Sequence, residues 1–182
     1  MNDEFAGFLR QAVPGGDQIP GGDEPWPSLV LLLRVPREFT HADANQLARQ
    51  VWNTSQDKPE IVGSPRDGSY VIHVSGLFFA MHSVAARYSA RGHEADVVRQ
   101  QVWDQHSAWL SIDYSRGSRE PRSKWGHFYF PLTLMANKVW DANVLGAFFP
   151  AEGVTVPNMG ELIPSITWAA KNGSPLQFLK RN

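Results

Sequence analysis

The sequence predicts an α+β fold: one domain with a mixed, mostly antiparallel sheet and helices packed on it. Three observations lead there. Apolar stretches of strand character at 28–35, 69–84 and 108–114 are separated by segments whose apolar residues recur at helical spacing. One strand pair, around Ser75-Gly76, has the alternation and the two-residue turn of an antiparallel hairpin. The 182 residues, 42% hydrophobic with seven Trp and ten Phe, supply one core of ordinary size.

Residues 1–27 are expected to stand apart as an acidic arm and linker. Asn2–Val13 places Phe5, Phe8 and Leu9 on one side of a short helix, while PGGDQIPGGDEPWP over 14–27 is too rich in Gly and Pro for regular structure. Asp3, Glu4, Asp17, Asp23 and Glu24 against Arg10 leave this arm at -4. It reads either as a solvated tail or as a partner-binding arm.

The domain proper is 28–182. Ser28–Val35 is a continuous apolar run, as in a central strand covered on both faces, and Pro36 ends it. Thr40 caps a helix over 41–53 with Asp43 as the capping-box acid, and Ala44, Leu47, Ala48 and Val51 form its buried stripe. A short strand is expected at Glu60–Gly63. In the hairpin, Val74 faces Leu77, Ile72 faces Phe79 and Tyr70 faces Met81, all on one face. The other face is mixed: Val71, His73, Phe78, Ala80 and His82. A helix over Glu94–Asp104 leads to strand Ala108–Tyr114, and a polar loop covers Ser115–Gly126. The next helix is placed at Leu132–Ala142 with Pro131 in its first position. Leu145–Phe149 reads as a strand, Gly153–Ile163 as a strand or turn, and Ser174 as the cap of a last helix. The expected core is Leu31, Leu33, Ile72, Phe79, Leu110, Ile112 and Phe148.

Composition narrows the function classes. With no cysteine, disulfides, thiolate nucleophiles and thiolate metal sites are excluded. A net charge of -1 gives no global pull towards nucleic acid, which is disfavoured as a partner, or towards anionic lipid. No apolar run approaches the ~20 residues that span a bilayer, and the acidic N-terminus lacks a signal-peptide pattern, so a cytoplasmic protein without membrane contact is expected.

Four groups of residues bear on chemistry. His93, Glu94, Asp96, Asp104 and His106 cluster around the second helix, but His93 and His106 would lie about 20 Å apart along it, too far to share a metal. Asp104-x-His106 stands at a helix-to-strand corner, where the imidazole either caps carbonyls or serves catalysis. Ser111 and Asp113 share one face of their strand, as a polar groove or an outer sheet face. No nucleophile elbow, Ser-x-x-Lys or phosphate-binding glycine pattern occurs, and no cofactor, metal or catalytic residue is assigned. The fourth group is the loop SRGSREPRSKWG. Arg116, Arg119, Arg122 and Lys124 against Glu120 give +3 within twelve residues, and Trp125 adds a stacking surface. This loop reads as a partner-binding site or as solvated surface.

The strand Leu29–Arg34, the segment Trp103-Asp104-Gln105-His106-Ser107-Ala108-Trp109-Leu110-Ser111-Ile112-Asp113, the run Val144–Pro150 and the stretch Glu161-Leu162-Ile163-Pro164 together resemble an uncharacterised bacterial family of unknown function. The resemblance spans about 28–164. It implies a fold and no catalytic residue.

The reading that follows is a non-enzymatic protein-interaction domain with an immunity, adaptor or accessory role, whose partner is another protein with a suitably acidic face. Trp26, Trp125 and Trp168, all in irregular segments, add to it, since interfaces favour Trp and Arg. The alternative is a hydrolase or transferase using His106 with Asp104 or Asp113, with or without a metal.

Overall fold

A computed structural model of the chain describes residues 27–52, 59–64, 68–74, 77–89, 97–114 and 125–158, apart from the side chains of 60, 62–64 and 125–127. The arm at 1–26, the segment 115–124 and the helix start at Ser174 lie outside the described residues.

The elements in chain order are β1 (Ser28–Leu33), α1 (His41–Val51), β2 (Glu60–Ser64), β3 (Ser69–Val74), β4 (Leu77–Val84), α2 (Val97–Gln105), β5 (Ala108–Tyr114), α3 (Trp125–Val139), β6 (Val144–Phe149), a 3-10 turn (Pro150–Glu152) and β7 (Val154–Pro157). The seven strands form one sheet in the order β2-β3-β4-β5-β1-β6-β7. Each of its six pairings is antiparallel. The α+β class with a mostly antiparallel sheet is thus what the chain adopts. The hairpin has the expected register, Val74 opposite Leu77, Ile72 opposite Phe79 and Tyr70 opposite Met81.

Both sheet faces are covered, which explains the unbroken apolar run of β1. On the first face Leu29, Leu31, Leu33, Ile72, Phe79, Met81, Leu110 and Ile112 pack with α1 and α3 into the larger core. On the second, Val30, Leu32, Trp109 and Phe148 pack with Val102 of α2. Six of the seven expected core residues share the first face; Phe148 belongs to the second, because it pairs with Val30 rather than Leu31. Trp103 lies edge-on to Phe148 at 5.1 Å and donates to Thr155 Oγ1 at 3.0 Å, fastening α2 over the β6–β7 half of the sheet.

Local chemistry accounts for the boundaries. The capping box forms as expected: Asp43 N donates to Thr40 Oγ1 at 3.2 Å and Thr40 N donates to Asp43 Oδ2 at 2.7 Å. β1 stops at Leu33, short of Val35, because Asn143 takes the next two residues out of the ladder. Its carbonyl accepts from Arg34 N at 2.9 Å, and its amide bonds both Val35 N and Val35 O.

The largest correction concerns α3. It begins at Trp125, not Leu132, so Trp125 and Gly126 are helical and Pro131 sits inside the helix rather than at its start. Proline removes one backbone donor there, the one that would reach the carbonyl of residue 127, and costs about 3 kcal/mol in a helix interior. Burial of Tyr129, Leu132, Met135 and Ala136 against the sheet offsets that cost.

Candidate functional site

Strand pairing gathers one polar cluster on the second sheet face, beside the area α2 covers. His82 of β4 stands opposite Ser69 of β3 and Ser111 of β5, and Asp113 of β5 stands opposite Ser28 of β1. Asp113 is two positions along β5 from the residue facing His82. That makes the two diagonal neighbours, roughly 7–8 Å apart between backbones. Ser69 Oγ lies 3.0 Å from His82 Nδ1. Ser111 Oγ donates to Asp113 Oδ2 at 2.8 Å, and Ser28 Oγ donates to the other carboxylate oxygen.

The electrostatics of this cluster oppose charge. Burial pushes the His82 imidazole below its ordinary 6.5, against the pull of the Asp113 charge. Burial also raises the Asp113 carboxyl above its ordinary 3.8, opposed by the Ser28 hydroxyl, by His82 and by Ser111. Each group therefore favours its neutral form while partly restoring the charge of the other.

His106 occupies a different place. Its Nδ1 donates to Trp103 O at 2.7 Å and its Nε2 accepts from Tyr88 N at 3.0 Å, so both ring nitrogens are taken by backbone groups. This fixes a neutral tautomer, and burial lowers its pKa, with the Arg87 charge adding to the effect. The ring closes the C-terminus of α2 and ties down the strand-to-loop turn at Tyr88. Asp104 is exposed and accepts from Gln100 Nε2 at 3.0 Å. Asp113 lies at the far end of β5, about 16 Å beyond Ala108 at ~3.3 Å per residue. The structure therefore brings His106 to neither carboxylate; the imidazole diagonal to Asp113 across β4 and β5 is His82.

Of the basic segment, Arg116, Arg119, Arg122 and Lys124 lie outside the described residues, and Trp125 opens α3 with its side chain likewise outside. The two ends of the segment are described. Tyr114, the last residue of β5, stacks on Phe128 in the first turn of α3 with ring centroids 4.2 Å apart and planes 17° from parallel. Tyr114 N also donates to Pro27 O at 3.1 Å, so the chain leaving β5 and the chain entering β1 meet at one corner of the sheet.

A cleft of about 250 Å³ opens at the start of α1, lined by Arg37–His41, Gly68, Tyr70 and Ser83. Its polar groups hold its own walls together. Tyr70 OH donates to Phe39 O at 2.8 Å, Ser83 Oγ donates to Arg37 O at 2.7 Å, and the Arg37 guanidinium pairs with Asp141 and bonds Val139 O.

Among the described residues, no three His, Asp or Glu stand together as metal ligands, and no helix is long and apolar enough to cross a membrane. Comparison with protein-family models, with curated proteins and with solved structures finds no match.

Proposed function

We propose that this chain is a non-enzymatic protein-interaction domain of the cytoplasm, with an immunity, adaptor or accessory role, which grips an acidic protein face through its basic segment 115–124 and Trp125. The observation that carries the reading is the Tyr114–Phe128 stack. It holds together the two ends of a ten-residue stretch bearing Arg116, Arg119, Arg122 and Lys124. Ends fixed in advance reduce the ordering entropy that a binding loop loses on contact. Guanidinium groups at Arg119 and Arg122 suit carboxylates, which they bind in two-point fashion. At a net charge of -1 the chain as a whole does not favour nucleic acid.

The test is the double substitution Arg119→Ser with Arg122→Ser. It is compared with the natural chain for thermal unfolding and for capture of proteins from a lysate at low and high salt. Capture that weakens with salt and vanishes in the variant, at unchanged unfolding temperature, supports the reading. Equal capture by both chains refutes it, and a fall in stability alone assigns the arginines to an internal contact.

A further inference from the structure

We propose that His82 and Asp113 act as one proton-binding unit at the centre of the sheet, responding to mild acidification at the corner where residues 1–26 and 115–124 join the domain. The inference is independent of the interaction reading, since it uses none of the basic residues.

The geometry carries it. The two groups sit on adjacent strands of one face; Ser69 of β3 and Ser28 of β1 bond them from the strands that flank the pair, and Ser111 bonds Asp113 from within β5. Facing His82 are Ser69 from β3 and Ser111 from β5, with Asp113 as its diagonal neighbour two positions along β5; facing Asp113 are Ala80 from β4 and Ser28 from β1. Asp113 is the only charged carboxylate among these facing residues, and His82 the only base. His82 is 9% exposed, and the residues beside the pair, Val71 and Ala80, are 2% and 3% exposed. In such surroundings a lone charge is costly, while a state with one proton on the pair is neutral overall. The unit therefore moves between net -1 and net zero by taking one proton.

That proton matters mechanically because of what Asp113 holds. The ionised carboxylate accepts the Ser111 and Ser28 hydroxyls on its two oxygens. Once protonated, one of those oxygens becomes a donor, and one of the two serines must turn or release. Ser28 is the first residue of β1, and Tyr114 beside Asp113 bonds Pro27, so a change at this carboxyl is felt at the sheet corner.

The opposing shifts support the pairing: the ordinary titrations at 6.5 and 3.8 are drawn towards one another, and each group's charge counters the other's desolvation. Removing one partner should then move the other further from its ordinary value. The experiment is residue-resolved NMR titration of the His82 ring and the Asp113 carboxyl in the natural chain, in Asp113→Asn and in His82→Gln. In Asp113→Asn the His82 midpoint should fall, and in His82→Gln the Asp113 midpoint should rise, each by about one pH unit for a coupled pair. Midpoints unmoved in both variants overturn the proposal. The natural chain provides the same decision without any substitution. There, each group's trace should bend at both midpoints, and two independent single-step curves overturn the proposal even where a variant fails to fold.

Discussion

Replacing His106 with Leu tests whether this imidazole is a fastener of the fold. The substitution keeps an apolar body against Trp103, whose ring meets His106 edge-on at 5.5 Å, but removes both ring nitrogens. Two bonds go, one from Nδ1 to Trp103 O at 2.7 Å and one from Tyr88 N to Nε2 at 3.0 Å. Each is worth about 1 kcal/mol net, and each stranded backbone group adds about 1 kcal/mol or more where water cannot reach it. The expected loss is about 2–4 kcal/mol. In urea this lowers the unfolding midpoint by about 1–2 M at an unchanged slope. The pH dependence supplies a second readout. The folded-state pKa of His106 lies below its ordinary 6.5, so the unfolded chain binds more protons between the two values. The His106 contribution is therefore complete above pH 6.5 and is lost as pH falls through the folded value. The Leu variant should lack that part of the acid sensitivity. A midpoint unchanged at pH 7.5, with the acid slope also unchanged, would refute the structural role and return His106 to the list of groups available for chemistry.

Two further substitutions probe the frame that carries these sites. Leu110→Ala, at a fully buried position in the larger core, should cost about 2–5 kcal/mol in chemical denaturation, and an unchanged midpoint would mean that the first face of β5 is not covered. Gly68→Ala should cost about 1–3 kcal/mol by the same assay, since φ is +61° and an added Cβ would lie 2.6 Å from Ser83 O; a neutral result would show that the β4 backbone yields freely there.

The elements whose signals are local were legible in the sequence. The hairpin register followed from alternation together with a two-residue turn at Ser75-Gly76, because a one-residue slip would send Ile72 and Phe79 to the wrong face. The capping box at Thr40 needed only Asp43 three residues on. Where tertiary burial overrode a local rule, the reading failed. Pro131 is a good helix starter in isolation, yet the buried face of α3 already includes Tyr129, two residues ahead of it. Val35 continued an apolar run but left the ladder, because Asn143, 108 residues away, bonds its backbone.

The polar cluster was half legible for the same physical reason. Strand parity placed Ser111 and Asp113 on one face, and hairpin parity placed His82 on the mixed face of β4. What joins them is the sheet order, in which β5 lies between β4, which brings His82, and β1, which brings Ser28. Ser28 and Asp113 lie 85 residues apart, and no local pattern announces that they will meet. His106 shows the converse. Its Asp-x-His spacing looked chemical because two ionisable groups stood close in sequence, yet the helix end that brought them close also presented carbonyls in need of donors. An imidazole at such a corner satisfies the backbone first. The imidazole that stands diagonal to Asp113 is that of His82, which a strand, rather than a helix terminus, holds in place.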